Sequence, residues 1–503
     1  MSAARFPSPP ASAQLADSSA WLGGLPGLPE QSQMWIAQAP ARRAALARQA
    51  AALTQPLPHP AGVGRIFEMA GRAAAGAGTL IGSDLPRSVV QTVLHGVPGE
   101  DWASVATRRA EQVVRGGGPV YVKLGQFISS ARGLLPDEVV QAFAWCVDDV
   151  TPLAAGRAQA IVARELGGPL SGRFADFDDA PLAAGSIAQL HCAVLRDGTE
   201  VVVKVRRPGL RRCFEVDIRA LSVLATLGEW RTEAARQANA RGVVALFAEI
   251  ALQELDLRLE AANMVEVGLV AEHSGLTHVR CPRPVPELVT ERMIVMERLD
   301  GVRYTDAPDL LCAGVDRAGL LRLAVQGVLE SSLVYGVFHG DLHAGNVLID
   351  ADGHFGLVDF GIVGRLDGAR RDALIELMLG LGTDDVPLQV RALAGFGALE
   401  PGADLDALTR ELQELVAARD PGLQMSQAEI ADRLGALIRL LAARGVRVPK
   451  DLVLFFKNLL YLNAFAASIA PDVDLLGEIE PIFGYFADKY AEEIALARSG
   501  GGG

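Results

Sequence analysis

Two carboxylates and one amide between His339 and Gly361 have the spacing of a phosphoryl-transfer site: HGDLHAGNVLIDADGHFGLVDFG. Asp341 stands in a His-Gly-Asp-Leu-His loop, Asn346 follows five residues later, and Asp359 opens an Asp-Phe-Gly thirteen residues after that. Val347 to Ile349 reads as a short apolar strand, Asp350-Ala351-Asp352-Gly353 as turn chemistry, and Phe355 to Val358 as the return strand. Such a hairpin returns Asp359 to the side of Asn346. Carboxylate and amide oxygen could then share Mg2+, a hard cation that takes oxygen ligands. Asp341, in the loop before the hairpin, is placed to orient or deprotonate an attacking hydroxyl. Phosphoryl transfer asks for little covalent chemistry and much positioning and charge neutralisation, which these residues supply. The plain alternative, two loop aspartates and a turn, leaves the agreement between motif and hairpin unexplained.

A site of this kind needs a cation for the phosphates and an acid to hold that cation. Residues 181 to 206 read as a second hairpin turning at Asp197-Gly198. Its return strand alternates Val201, Val203 and Val205 against Val202, Lys204 and Arg206, so Lys204 points away from one apolar face. A lysine on a strand after a small-residue loop is where a nucleotide-binding fold keeps its phosphate lysine. A helix from about Val243 to Met264 carries Glu254, Asp256 and Glu260. Asp256 and Glu260 share a face and Glu254 points elsewhere. Glu260 is the candidate partner of Lys204. Met293 to Leu299 is a short buried strand before Asp300-Gly301, expected to join a small lobe to a large one. Adenine would bond the backbone around Glu297 and Arg298 there. Leu320 to Gly336 is an amphipathic helix leading into the central loop.

A further apolar helix carries Lys123, Gly125 and Gln126. Burying an unpaired ammonium is costly. Lys123 is therefore expected beside Glu254, Asp256 or Asp359, with Gln126 pointing into the same cleft and Gly125 allowing close approach.

Composition sets outer bounds. The chain has 503 residues, half of them apolar, and a net charge of −13, which argues against a general nucleic-acid binder. Its five cysteines (Cys146, Cys192, Cys213, Cys281, Cys312) show no C-x-x-C pairing, as in a reducing cytoplasm. No uninterrupted apolar run of about 18 residues suggests a membrane-spanning helix, and the N-terminus lacks signal-peptide character. Residues 1 to 58 read as mostly disordered, with one helix from Gln33 to Leu53. That helix sets Arg42, Arg43 and Arg48 beside Trp35, Ile36 and Leu46. A solvated or weakly docked helix is expected, with peripheral membrane contact left open. Another helical stretch runs from about Trp102 to Val114. After Arg370 the pattern is helical: Asp372–Leu381, Val386–Phe396, Leu405–Ala418, Gln427–Arg444 and Leu452–Ile469.

Assembled, these residues resemble the UbiB/AarF family of atypical protein-kinase-like proteins, over roughly residues 105 to 475. The K-x-G-Q signature of that family is Lys123-Leu-Gly125-Gln126. The alanine-rich loop in place of the kinase glycine loop is Ala183-Ala184-Gly185-Ser186-Ile187. The β3 lysine is Lys204, the E-x-D motif Glu254-Leu-Asp256, and the lysine's partner falls on Glu260. The catalytic loop falls on Asp341 to Asn346 and the D-F-G on Asp359, Phe360 and Gly361. The chain departs from the pattern at Gly185, where alanine is frequent, and at His-Ala-Gly-Asn in place of His-Pro-Gly-Asn. It also departs at Ser130-Ala-Arg132-Gly133, which lacks the common Thr and Asp.

The resemblance implies an α+β, two-lobed protein-kinase-like fold with a helical extension over the active site. It divides the chain into a mostly disordered segment 1–58, a K-x-G-Q extension 59–165, an N-lobe 166–299, a helical C-lobe 300–498 and a flexible tail 499–503. It implies ATP and Mg2+ as cofactors, with Asn346 and Asp359 as the metal ligands. The small-residue loop, Lys204 and Glu297 would hold the nucleotide. The acceptor would be an unknown small molecule or lipid, or water, in isoprenoid-quinone or lipid metabolism. Two other readings stay open: a small-molecule phosphotransferase of the aminoglycoside or choline kinase type, and a non-enzymatic pseudokinase scaffold. Metabolite phosphorylation separates the first; Mg2+-dependent phosphate release separates the second.

Overall fold

The computed structural model describes residues 29–55, 119–129, 151–232, 235–236, 239–307, 316–383, 385–399, 404–417, 449–471, 473 and 479–490. The helices expected at 102–114 and 427–444 lie outside the described residues. Among the described residues, the helices that come first are α1 (Pro29–Leu53), α2 (Pro119–Ser129) and α3 (Arg157–Leu166). Then follow strands β1 (Phe174–Ala184), β2 (Ala188–Leu195) and β3 (Glu200–Arg206). Helices α4 (Leu210–Arg231), α5 (Ala240–Glu254) and α6 (Leu257–His273) come next. Strands β4 (Val279–Arg280), β5 (Pro284–Val289), β6 (Met293–Glu297) and β7 (Val302–Arg303) complete the first half.

The first lobe is built on an antiparallel sheet of order β1-β2-β3-β6-β5. Alternation along β3 explains why both faces are covered. Val201, Val203 and Val205 pack with Val162 of α3, Met293 and Val295. Val202, on the opposite face, packs with α1, α2 and α4–α6. Lys204 shares that second face and is buried. Residues 181–184 end β1, so the expected hairpin is β2–β3 and a further strand precedes it. Gly198, at φ 89°, occupies the left-handed turn position.

Two expectations about helices are corrected. The helix expected at 243–264 is broken: α5 ends at Glu254, Leu255 is buried, and Asp256, with φ −110° and ψ 95°, caps α6 by accepting the Arg258 amide. The N-terminal helix is not weakly docked. Trp35, Ala39, Leu46, Ala50 and Leu53 of α1 are buried in the main core against α5 and α6. The alanines let the helix backbones approach, and the apolar side chains bury area that a solvated helix would leave wet.

The second lobe is helical. It comprises α7 (Arg317–Leu329), continued by a π-helical turn Glu330–Tyr335, then β8 (Val337–His339), β9 (Val347–Ile349), β10 (Phe355–Leu357) and β11 (Val363–Arg365). It ends with α8 (Gly368–Gly382), α9 (Val386–Gly395), α10 (Leu405–Ala417), α11 (Lys450–Ile469) and α12 (Ile479–Lys489). The expected hairpin is β9–β10, with Gly353 at φ 84° in its turn. Helix α11 is long and apolar enough to cross a membrane by length and composition, but 56% of its apolar window is buried. Leu452, Phe455 and Phe456 sit in one core of this lobe and Phe465 and Ile469 in the other, so it serves as a core helix.

Candidate active site

Lys204 is the centre of the site. Its ammonium lies 2.6 Å from Glu260 Oε1 and 3.2 Å from Asp359 Oδ1. The break at Leu255-Asp256 is what allows this, because it places Glu260 in the first turn of α6, facing β3. The helix N-terminus also favours the negative charge there. Burial pulls Lys204 down, but Asp359 and Glu260 outweigh it, so the ammonium stays charged. Burial pushes Glu260 up to about 7, against the pull of Lys204. Asp359 is raised by burial and lowered more by Lys204 and Lys123, and stands well below the ordinary carboxylate range. Its side chain is half exposed, so water moderates that pull.

Asp359 has a positive φ of 59°, a conformation that places a non-glycine residue under about 1–2 kcal/mol of strain. Its surroundings hold it there. The Gly361 amide donates to Asp359 Oδ1 at 3.2 Å, Phe360 is fully buried, and Asn263 Nδ2 of α6 donates to the Phe360 carbonyl at 2.7 Å. Gly361 leaves room for its neighbours: a Cβ there would stand 3.2 Å from Asp359 Oδ1 and 3.4 Å from Glu254 Cγ.

The loop after β8 is braced by its own side chains. His339 Nδ1 accepts the Asp341 amide at 3.1 Å, which leaves the proton on Nε2, 3.2 Å from the Val358 carbonyl. Burial lowers the His339 pKa, in keeping with that neutral ring. Asn346 Nδ2 donates to the Asp341 carbonyl at 2.9 Å, and the Val358 amide donates to the Asn346 carbonyl at 3.0 Å. Asp341 is raised by burial but lowered more by Lys457, His343 and Lys123, to about 2.

Helix α2 closes one side. Val120, Tyr121 and Leu124 are buried in the main core, and Lys123 Nζ lies 2.6 Å from Glu254 Oε2. Burial lowers Lys123, and Glu254, Asp359 and Asp341 together raise it. Burial raises Glu254 more than Lys123 lowers it.

Residues 146–390 match the ABC1 atypical kinase-like domain. An uncharacterised protein of Mycobacterium tuberculosis is 34% identical over 400 residues, covering 78% of this chain and 80% of that one. A probable protein kinase UbiB of Marinobacter nauticus is 31% identical over 389 residues, covering 76% and 70%. An uncharacterised chloroplastic aarF domain-containing protein kinase of Arabidopsis thaliana is 30% identical over 383 residues, covering 71% of each. The chain belongs to the UbiB/AarF family.

Other positions of the UbiB/AarF signature are distributed as follows. Gln126 faces the small-residue loop, with Ser186 Oγ donating to its Oε1 at 3.4 Å. Ala183 and Ala184 end β1, where they pair with Leu190 and Gln189. The Gly185 amide donates to the Ala188 carbonyl at 2.9 Å, and Arg207 Nε donates to the Gly185 carbonyl at 2.9 Å. Ile187 packs into the core, so only its backbone can face a nucleotide. Asp256 does not join Lys123: Arg258 holds it by two bonds of 2.8 and 2.7 Å, and Arg42 lies 3.8 Å away. The Glu297 amide is committed to the Arg283 carbonyl at 2.9 Å, so that amide is not free for a base.

The residues present fit a hard divalent cation. Asn346 uses its amide nitrogen on the Asp341 carbonyl, which leaves its oxygen as a candidate ligand, and Asp359 would offer a carboxylate oxygen.

Several site residues escaped the sequence reading. Lys457 of α11 lies 2.8 Å from Asp341 Oδ1, and Tyr461 Oη lies 3.4 Å from the same oxygen. Asn263 Oδ1 accepts from Arg43 of α1 and from Arg365, each at 2.7 Å, while Glu266 pairs with both arginines. One signal was visible for Lys457: a lone charge in an apolar helix, the same pattern that singled out Lys123.

Proposed function

We propose that this UbiB/AarF chain is an atypical kinase or ATPase that binds ATP with Mg2+ and transfers or hydrolyses the γ-phosphate. The carrying observation is the convergence of Lys204, Glu260 and Asp359 within 2.6 and 3.2 Å, with Asp341 and Asn346 bonded to each other on the adjoining loop. Lys204 would neutralise phosphate oxygens. Asn346 and Asp359 would hold Mg2+, which neutralises the charge developing on the phosphoryl group. Asp341, at about 2, is too weak a base to take a proton from a ground-state hydroxyl. It orients the acceptor instead. The acceptor oxygen bonds phosphorus, the bond to the ADP oxygen breaks, and Asp341 or water receives the acceptor's proton as that bond forms.

The Lys123–Glu254 pair, with Glu254 beside Gly361, supports a small-molecule, lipid or water acceptor over a polypeptide, because α2 would then cover that side of the site. A role near isoprenoid-quinone or lipid metabolism is what the resemblance to the UbiB/AarF family implies, and the match to relatives named UbiB supports that family assignment. The test is Mg2+-dependent phosphate release and calorimetric ATP binding, for the unmodified chain and for Asp359→Asn. Loss of Mg2+-dependent turnover by at least a hundredfold in the variant is expected. Equal turnover and affinity in the two would overturn the assignment, and absence of both from the unmodified chain would favour the scaffold reading.

A further inference from the structure

Lys457 is the one charged residue between Leu452 and Ile469 of α11, and it lies beyond the segment that matches the family domain. Its side chain is only 10% exposed, yet its ammonium stands 2.8 Å from Asp341 Oδ1. The Tyr461 hydroxyl, one turn further along α11, is 3.4 Å from the same oxygen, and Lys457 lies 5.5 Å from the Tyr461 ring centre. One turn of one helix thus grips one carboxylate oxygen. The other oxygen, Oδ2, has His343 Nε2 at 4.0 Å.

Charge in the site explains why a lysine is needed there. Four carboxylates, Asp341, Asp359, Glu254 and Glu260, face three ammonium groups, Lys123, Lys204 and Lys457. Lys123 contacts Glu254, and Lys204 contacts Glu260 and Asp359. Among the described residues, Lys457 is the lysine or arginine in ion-pair contact with Asp341, while Lys123 acts on it only from a greater distance. The catalytic loop itself carries only His343 two positions on, and histidine is a cation only when protonated. A buried ammonium is expensive unless paired. α11 could have placed leucine at this position, as it does at Leu454 and Leu462 around it.

We propose that Lys457 is a positioning residue for phosphoryl transfer: it fixes the Asp341 carboxylate toward the acceptor and supplies the permanent positive charge that the catalytic loop lacks. The proposal rests on the kinase-like reading of Asp341. It makes α11 part of the active site as well as part of the core. The nucleotide contacts, on Lys204 and Asp359, are separate from it. The charge therefore acts on the acceptor side, and its loss reads out in turnover and not in nucleotide affinity.

The test uses the full chain with Lys457→Met, Lys457→Arg, Asp341→Asn and the Lys457→Met/Asp341→Asn double variant. In Mg2+-ATP turnover, Lys457→Met should lose on the order of 10²-fold in kcat, with KM for ATP within about twofold, as for loss of one aligned charge at a reacting centre. Lys457→Arg should recover at least a tenth of the wild-type rate. Adding Lys457→Met to Asp341→Asn should lower kcat no further. Unchanged kcat in Lys457→Met, a KM effect without a kcat effect, or additive kcat losses would each overturn the proposal. Thermal unfolding of the same four proteins reads the pairing without turnover. The two single variants should lower Tm by more, summed, than the double variant does. Additive Tm shifts would overturn the pairing even if the unmodified chain turned over no ATP, which is instead the failure of the proposed function.

Discussion

Lys123→Met should destabilise the chain far more than replacing Lys123 and Glu254 together. The two side chains are 20% and 10% exposed and 2.6 Å apart. At an effective dielectric constant of 20, two unit charges about 4 Å apart attract by about 4 kcal/mol. Much of that only repays the desolvation of both groups. Removing Lys123 alone leaves a carboxylate buried with no cation, and its Oε1 already lacks a hydrogen-bond partner. Breaking such a pair from one side costs about 3–5 kcal/mol, whereas exchanging both charges for apolar groups of similar volume is close to neutral. Lys123→Met is thus expected to lose about 3–5 kcal/mol in urea unfolding, and Lys123→Met/Glu254→Met to return within about 1 kcal/mol of wild type. The pH dependence carries the cause. Burial raises the folded-state pKa of Glu254, and removing Lys123 raises it further. Both proteins then lose stability as pH rises above about 4.3, but the variant goes on losing it to a higher pH, so the deficit of Lys123→Met grows between the wild-type value and the further-raised one. It should be smaller at pH 5 than at pH 8. A wild-type midpoint for Lys123→Met, a double variant as unstable as the two singles summed, or a deficit equal at both pH values would refute the reasoning.

Glu260 should set an acid limb in turnover. As pH falls through about 7, Glu260 takes a proton and Lys204 loses one charged partner, so phosphate release should fall on the acid side. Glu260→Gln should be slower but flat between about pH 6 and 8, and a limb that persists in it would assign that titration elsewhere. Gly185→Ala should leave the fold intact, because a Cβ there would stand 3.3 Å from the Ala188 carbonyl, a shift of a few tenths of an ångström. Calorimetry should show an altered preference between ATP and ADP, since the methyl stiffens the loop that Arg207 and Ala188 hold; unchanged affinities for both nucleotides would refute this.

Local patterns in the sequence carried the parts of the site that short segments build. The hairpin from Val347 to Leu357 follows from two apolar runs around Asp350 to Gly353. The side of β3 on which Lys204 lies follows from strict alternation with Val201, Val203 and Val205. The break between α5 and α6 did not show, because Glu254-Leu255-Asp256 sits inside an unbroken apolar periodicity with no glycine or proline. Only the cap, where Asp256 accepts the Arg258 amide, betrays it, and aspartate inside a helical pattern is an ambiguous sign. The arginines of α1, in a segment whose composition reads as mostly disordered, pointed to a solvated or weakly docked helix. Its small residues instead make the close contact with α5 and α6 that buries Trp35 and Leu46.

Partners remote in sequence were legible only where a physical rule demanded that one exist. A charge stranded in an apolar helix is such a rule. It required a partner for Lys123, and Glu254 is that partner. Applied to α11, it requires one for Lys457 as well, and the structure supplies Asp341 more than a hundred residues upstream. No comparable rule singles out Asn263. Among the polar residues of α6 it looks unremarkable, yet it bonds the Phe360 carbonyl and receives Arg43 and Arg365. Through it the N-terminal helix, the helix bearing Glu260 and the strained Asp359 segment are one hydrogen-bonded unit. The positive φ of Asp359 is held by that unit, so the placement of the carboxylate proposed to bind metal depends on residues that no local motif contains.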